Sequence, residues 1–210
     1  MTATEEDPVV FIIDDDETVR ETVADLLHSV GLGAQTFGSA TEFLEAKRPD
    51  VPGCIVLDVR LPGARGLEVQ RTLTDSNILL PIIFISGHGT IPMSVKAMKS
   101  GAKEFLTKPL NEQEFLDAVQ ACIEQDRVRR QQTRLVAELR QRFNSLTPRE
   151  QEVLPFVITG RLNKQIAGQL ELSEMTVKVH RGQIMRKMRA RSLVELVRMA
   201  DQLGIRAGKP

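Results

Sequence analysis

The chain has 210 residues with equal numbers of acidic and basic side chains, a length that allows one large domain or two small ones. Hydrophobic residues make up 41% of it, and no apolar run approaches the roughly 20 residues that cross a bilayer. The acidic start MTATEEDP lacks a signal-peptide pattern, so we expect a cytoplasmic protein without a membrane partner. Cys54 and Cys122 lie in apolar contexts without ligand spacing, which predicts buried thiols rather than a disulfide or metal site.

The two halves of the chain carry opposite charge. Residues 1–125 contain 20 acidic and 10 basic residues, whereas residues 126–210 contain 8 acidic and 18 basic ones. This asymmetry predicts two modules with different partners. The acidic half suits a cation site, and nucleic acid is the first candidate partner for the basic half.

The acidic half alternates predicted strands and helices. Apolar runs predict strands at 8–13, 34–37, 54–57, 82–85 and 105–106, of which all but the weaker run at 34–37 are interpreted as buried on both faces. Helical spacing of apolar residues predicts helices at about 19–30, 43–44, 67–73, 93–98 and from 112 onward. Five such units predict an α/β fold with a five-stranded, parallel, doubly wound sheet.

Polar side chains follow the predicted strands. They are Asp14 and Asp15 after the first strand, Asp58 after the third, Ser86 after the fourth and Lys108 after the fifth. Taken singly, such an Asp is more often a helix cap or a turn residue, and Asp16 is interpreted as the cap of the first helix. Because parallel strands end at one edge of the sheet, the five together predict a binding site there.

The residue types at this edge indicate phosphoryl chemistry. Converging carboxylates favour a hard divalent cation such as Mg²⁺, and a carboxylate beside it is a possible nucleophile that would give an aspartyl-phosphate. Lys108 would offset the phosphoryl charge and Ser86 would donate a hydrogen bond to a phosphoryl oxygen. The Lys108–Pro109 bond is a candidate cis peptide that would direct the lysine into the site.

Residues 111–143 contain no Gly or Pro and predict a long helix. We favour an exposed helix that extends the last helix of the acidic half, with a helical dimer stalk as the alternative. Val128, Leu135 and Leu139 are its candidate contact residues.

The basic half predicts four short helices. Thr147, Pro148 and Glu150 form the pattern of a capping box, Gly160 ends the first helix, and Pro155 is expected to kink or loosen it. The others are predicted at about 163–170, from a cap at Ser173 onward, and at about 192–203.

Two of these short helices are joined by a tight turn and the second is rich in cations, which fits a helix-turn-helix that enters the DNA major groove. A solvated basic helix is the alternative. In the second helix Val177, Ile184 and Met188 are predicted to pack inward, and Lys178, Arg181 and Met185 to face outward.

Three motifs carry a family resemblance: LDVRLPGARGLEVQ, PIIFISGHGTIPMSVKAMKSGAKEFLTKP and TVKVHRGQIMRKM. With them the chain resembles the NarL/FixJ family of two-component response regulators, and FixJ-like regulators in particular. The resemblance implies a flavodoxin-like receiver domain over 7–125, a helical linker over 126–143, and an all-α LuxR-type helix-turn-helix domain over 144–210. His88 is interpreted as a solvated loop residue, and Thr90 stands where FixJ-like sequences often carry Asp.

The resemblance also implies roles for single residues. In the acidic half Asp58 would be the phosphoacceptor. Mg²⁺ or Mn²⁺ would be held by Asp15, Asp58 and the Arg60 carbonyl, with Asp14 acting mostly through water. Ser86 and Lys108 would contact the phosphoryl group, and Phe105 would be the aromatic switch. In the basic half Lys178, Val179 and Gly182 would contact bases, Lys164, Thr176, His180 and Arg181 would contact phosphates, and Leu193, Val197 and Ala200 would pair two domains. Gly182 is a departure, since relatives can carry Lys there.

The implied function is that of a DNA-binding transcription regulator, an activator as most relatives are, rather than an enzyme. Its only chemistry would be self-catalysed phosphotransfer to and from Asp58. The implied partners are a sensor histidine kinase, double-stranded promoter DNA, a second copy of the phosphorylated chain and, as a further candidate, RNA polymerase.

Two other functions are alternatives to a transcription regulator. The run DDDET fits the nucleophile motif of haloacid-dehalogenase-type phosphatases, with Asp14 as nucleophile and Asp16 as acid. That fold needs a further acidic pair after a later strand, whereas the later acids Asp75, Asp117 and Asp126 are isolated. The alternative also leaves Asp58 without a role. The second alternative is a non-enzymatic adaptor, in which the acidic half docks a protein and the basic half only stabilises it.

Overall fold

The computed structural model describes residues 7–61, 64–87 and 91–205, so His88 and Thr90 lie outside the described residues. The chain divides into two compact units, Met1–Arg130 and Gln131–Pro210, here called the N-terminal and C-terminal units. Within the described ranges, no helix is both long and apolar enough to cross a membrane.

The N-terminal unit contains a five-stranded parallel sheet. Its strands are β1 (Val9–Ile13), β2 (Gly33–Phe37), β3 (Gly53–Asp58), β6 (Ile82–Ser86) and β7 (Glu104–Thr107), and the order across the sheet is β2-β1-β3-β6-β7. The helices are α1 (Glu17–Ser29), α2 (Ala40–Glu45), α3 (Gly66–Asp75), α4 (Ile91–Lys99) and α5 (Glu112–Asn144). The predicted fold class is therefore confirmed, and a short antiparallel pair, β4 (Arg60–Leu61) with β5 (Ala64–Arg65), was not predicted.

Alternate residues of the central strands face two separate apolar cores. Val10 and Ile12 of β1 belong to one core with Phe115 of α5, while Phe11 and Ile13 belong to the other. Such two-sided burial needs continuous apolar strands, which is why the sequence runs are unbroken. The prediction of burial on both faces holds for β1, β3 and β6 but is wrong for the edge strand β7, where only Leu106 is buried.

Both cysteines are buried free thiols, as predicted. Cys54 is fully enclosed and Cys122 is 3% exposed, and both belong to the core that contains Phe115. Burial raises the pKa of Cys122 to about 11, so this thiol stays protonated at neutral pH.

Asp126 forms a polar cluster that sequence analysis did not identify. Its carboxylate is 0% exposed and accepts hydrogen bonds from Arg129 Nε at 2.9 Å, Arg130 Nε at 2.7 Å and the Gly53 N–H at 3.2 Å. Arg130 also pairs with Asp50. The cluster joins α5 to the start of β3, at the edge of the sheet opposite to Asp58.

Helix α5 confirms the prediction that the connector is helical. Val128 and Leu135 are 43% and 53% exposed, as an outward position requires. Leu139, by contrast, is 7% exposed and packs in the core of the C-terminal unit with Leu146 and Val153. The prediction of Leu139 as an exposed contact residue is therefore wrong.

The C-terminal unit is built from short helices around one apolar core. Besides the end of α5, its helices are α6 (Pro148–Val157), α7 (Asn163–Leu170), α8 (Glu174–Met188) and α9 (Leu193–Gln202). The predicted capping box is present: the Thr147 side chain accepts from the Glu150 N–H, and the Glu150 carboxylate accepts from the Thr147 N–H. Helix α6 runs through Pro155 and ends two residues later at Val157, so the proline lies in its last turn.

Glu150 also links α6 to α8. Its carboxylate, 4% exposed, accepts a hydrogen bond of 2.6 Å from Lys187 Nζ. Burial alone would raise the pKa of Glu150, but the bonds from Lys187 and Thr147 and the lysine charge outweigh it, so the pKa lies below its usual value.

Replacing Glu150 with Gln is expected to destabilise the C-terminal unit by about 1–2 kcal/mol at neutral pH, because the charge-assisted bond is lost. A lowered folded-state pKa gives stability that is present above the unfolded pKa and lost as the pH falls through the folded one. The difference between the two proteins in urea unfolding should therefore shrink on acidification below about pH 4, near the model-peptide pKa of Glu. A difference that stayed constant with pH would show that the carboxylate charge is not the stabilising feature.

Candidate functional site

The carboxyl edge of the sheet gathers the polar residues that follow its strands. Asp14 follows β1, Asp58 ends β3, Ser86 ends β6 and Lys108 follows β7. Asp14, Asp58 and Ser86 are 1%, 5% and 1% exposed, although apolar strands precede all three.

Lys108 brings the two buried carboxylates together. Its Nζ lies 2.6 Å from Asp14 Oδ2 and 3.0 Å from Asp58 Oδ1. Burial would lower the pKa of Lys108, but its hydrogen bonds to both aspartates and their charges outweigh this and raise the pKa. Burial raises the pKa of Asp14, and the bond from Lys108 offsets this only in part. The ammonium group of Lys108 therefore stays charged, beside an Asp14 carboxylate whose ionisation is costly.

Backbone contacts fix the loops of the site. Asp58 Oδ2 accepts from the Arg60 N–H at 2.6 Å, and Asp14 Oδ1 accepts from the Asp16 N–H at 3.0 Å. The Lys108 N–H donates to the Ser86 carbonyl at 2.9 Å, and the Lys108–Pro109 peptide is cis, as predicted. Each charged group is therefore attached to a rigid strand end.

Asp15 and Asp16 differ from Asp14 in exposure and use. Asp16 caps α1, since its Oδ1 accepts from the Thr18 N–H at 2.9 Å, which confirms its predicted role. Asp15 is exposed, and Arg20 holds its carbonyl at 3.0 Å. Asp15 and Asp16 are both exposed, but the Asp16 carboxylate is engaged as the cap of α1.

A magnesium ion at this edge would need oxygen donors from the side chains and the backbone. In the described part of the chain, no three His, Cys, Asp or Glu side chains form a ready metal cluster. Mg²⁺ is commonly bound through one or two carboxylates and retains several waters, so a closed cage is not required. The buried Asp58, the exposed Asp15 and the adjoining backbone supply oxygen donors of this kind, and the residues present fit the ion.

Phe105 lies on the edge strand β7, paired in register with Phe84 of β6. It is only partly buried and packs against the core that contains Phe11. Two residues further along the same strand pair, Ser86 is in register with Thr107. Phe105 is therefore placed two residues before the end of β7, where Ser86 and Thr107 pair.

In the C-terminal unit, α7 and α8 are joined by a tight turn. Helix α7 ends at Glu171, which adopts a left-handed conformation with φ 53°, and Ser173 caps α8 by accepting from the Thr176 N–H. Val177, Ile184 and Met188 of α8 are fully buried, as predicted. Met185 packs against the same core, so the prediction that it faces outward is wrong.

The residues predicted to contact DNA do not all lie free on the surface. Lys164, Lys178, Val179 and Gly182 are exposed, whereas Thr176, His180 and Arg181 are partly buried. Arg181 donates to the Arg161 carbonyl at 3.0 Å and to Asn163 Oδ1 at 3.1 Å, which holds α8 against the start of α7.

The residues predicted to pair two domains lie on α9. Leu193 and Val197 are partly buried, but Ala200 is 0% exposed. The prediction of Ala200 as an intermolecular contact is corrected, since its side chain lies within the unit's own interior. Val194 is the exposed apolar residue of this helix, at 64%.

Two family models match the two units. Residues 10–120 match the response regulator receiver domain, and residues 144–200 match the bacterial regulatory proteins of the luxR family. Both describe regulators rather than enzymes.

Similar proteins match over both units. Nodulation protein W of Bradyrhizobium diazoefficiens is 54% identical, covering 95% of this chain and 88% of the relative, and the response regulator protein TodT of Pseudomonas putida is 48% identical, covering 93% and 86%. The structure of the response regulator StyR, 49% identical, matches with a TM-score of 0.85 over 94% of this chain and 100% of that one. Full-length FixJ from B. japonicum, 36% identical, matches with a TM-score of 0.56 over 94% and 97%. With both parts matched in this order, the chain belongs to the two-component response regulators and joins a receiver domain to a LuxR-type DNA-binding domain.

Proposed function

We propose that phosphorylation of Asp58 by a sensor histidine kinase controls how the chain dimerises and binds promoter DNA. The observation that carries the proposal is the contact of 3.0 Å between Asp58 and Lys108 at the end of β3. A carboxylate held beside a fixed ammonium group is prepared to accept a phosphoryl group, whose added negative charge the ammonium offsets.

The transfer needs no base from the protein. A carboxylate oxygen of Asp58 bonds to phosphorus while the bond from phosphorus to the kinase's histidine nitrogen breaks, and the released imidazole takes its electron pair. Mg²⁺, or Mn²⁺, held by Asp15, Asp58 and the Arg60 carbonyl, would offset the phosphoryl charge. Asp14, enclosed and bonded to Lys108, keeps the lysine oriented and would act on the ion mostly through water.

The receiver domain has a surface that could transmit this change. Ser86 would donate to a phosphoryl oxygen, and the partly buried Phe105 would turn inward behind it. Beside β7, helix α4 presents Ile91, Val95 and Met98, which are 80%, 45% and 43% exposed and spaced at i, i+4 and i+7. A second copy offers the same apolar stripe, and a two-fold contact would cover both.

The LuxR-type domain would then act on DNA in the cytoplasm as a transcription activator. Two domains brought together by the receivers would read half-sites with two-fold symmetry. Leu193 and Val197, with the exposed Val194, are the α9 residues that support a contact between the domains, and bound DNA would bring the dimer close to RNA polymerase.

The test measures oligomeric state and DNA binding of the full chain with and without acetyl phosphate and Mg²⁺. We expect phosphorylation to shift the protein from monomer to dimer and to tighten salt-sensitive binding to a promoter fragment. Val95→Asp should accept phosphate normally yet stay monomeric, because a charge in the stripe opposes burial. Leu79→Asp, an equally exposed position at 51%, serves as the matched control and should dimerise. Phosphorylated protein that dimerises without salt-sensitive DNA binding would favour the adaptor alternative.

A further inference from the structure

The outward face of helix α8 is unusually apolar for a helix rich in cations. Met175 is 68% exposed and Val179 is 53% exposed. At about 100° per residue, both lie about 160° around the helix from the buried Val177. Together with Gly182 and Arg186 they form what we call the outer line of α8, spaced at i, i+4, i+7 and i+11.

Met175 and Val179, the first two residues of the outer line, have no hydrogen-bonding side chain. A recognition helix contacts base edges mainly through its N-terminal residues, and Met175 is the second residue of α8. Guanine and adenine are read by paired donors and acceptors, whereas thymine adds a 5-methyl group that apolar side chains contact. Gly182 leaves space further along the line, since apart from its chain neighbours and the backbone of α8 no described heavy atom lies within 4 Å of where its Cβ would be.

The surroundings indicate a nucleic acid as the occupant of this face. Lys164, Lys178 and Arg181 line a surface cavity of about 530 Å³ beside the outer line together with one acid, Glu174, so cations outnumber acids next to the apolar side chains. This pattern suits a helix whose apolar front meets bases while its basic flank meets phosphates.

We propose that Met175 and Val179 select thymine in each half-site by packing against its 5-methyl group. The proposal rests on the proposed DNA-binding function and adds which base chemistry is read and by which residues. Met175 becomes a specificity-determining residue that the family resemblance did not assign.

The test uses a duplex selected by the phosphorylated full chain from a random-sequence library. Each thymine of the selected site is replaced in turn by uracil, which removes only the methyl group. At the contacted positions we expect binding to weaken about fourfold per methyl group. In Met175→Ala or Val179→Ala the uracil penalty should disappear at the matching position, while Met175→Leu should retain it.

The control is Val136→Ala, which shortens an apolar side chain that is 40% exposed on α5 and should leave every uracil penalty unchanged. A selected site without any uracil penalty, or with penalties that persist in both alanine variants, overturns the thymine proposal alone. Failure to select any salt-sensitive site overturns the proposed DNA binding and this inference with it.

Discussion

Asp58→Asn is expected to reduce phosphate incorporation from acetyl phosphate to background. The amide lacks the anionic oxygen that would attack phosphorus, but it has the size of the carboxylate and can still accept the hydrogen bond from the Arg60 N–H. Lys108 keeps its bond of 2.6 Å to Asp14, so the site should remain assembled. The measurement is incorporation of labelled phosphate per chain in the presence of Mg²⁺, with peptide mapping of any residual label.

Asp75→Asn is the matched control, since it makes the same exchange at an exposed residue that ends α3. It should be phosphorylated like the unaltered protein. Label that persisted at Asp14 in Asp58→Asn would instead support the phosphatase alternative, in which Asp14 is the nucleophile. That outcome is disfavoured by an Asp14 carboxylate that is 1% exposed and bonded to Lys108.

The strands and their ends could be predicted because parallel strands buried on two faces leave a simple signal. Unbroken apolar runs end at a polar residue, and the rule that strand ends share an edge was enough to group Asp14, Asp58 and Lys108. The rule does not say which side chains touch. That Lys108 binds both aspartates, and that Asp14 is buried while Asp15 is exposed, needed the structure.

The errors share a physical cause. Helical spacing identifies an apolar face but not the neighbour that covers it. Leu139 was therefore predicted as a contact residue on an exposed helix, and Ala200 as a contact between two domains, although their own unit buries both side chains. Met185 was assigned outward on spacing alone. Asp126 gave no signal because the Gly53 N–H that it binds is 73 residues away in sequence. The β4–β5 pair is too short to show a period.

Gly53→Ala should destabilise the receiver domain by about 3 kcal/mol or more. Gly53 begins β3 and is in register with Val9 of β1, and a Cβ built there would lie 2.2 Å from the Val9 carbonyl oxygen. That oxygen belongs to the backbone of a paired strand, so the clash cannot be relieved by a side-chain rotation. Moving β3 away would also stretch the bond of 3.2 Å from the Gly53 N–H to Asp126, which ties α5 to the sheet. Amide hydrogen exchange of β1 and β3 measures the loss separately from the other domain.

Gly168→Ala tests the opposite expectation. Gly168 lies within α7, and apart from its chain neighbours and the helix's own backbone no described heavy atom is within 4 Å of its would-be Cβ. Alanine should therefore stabilise the LuxR-type domain by about 0.5–1 kcal/mol through helix propensity. The two glycines thus separate close packing from backbone entropy as the reason for the residue.

Protection of β1 and β3 that was unchanged in Gly53→Ala would mean that the two strands do not approach as closely as described, and the attachment of α5 through Asp126 would need another explanation.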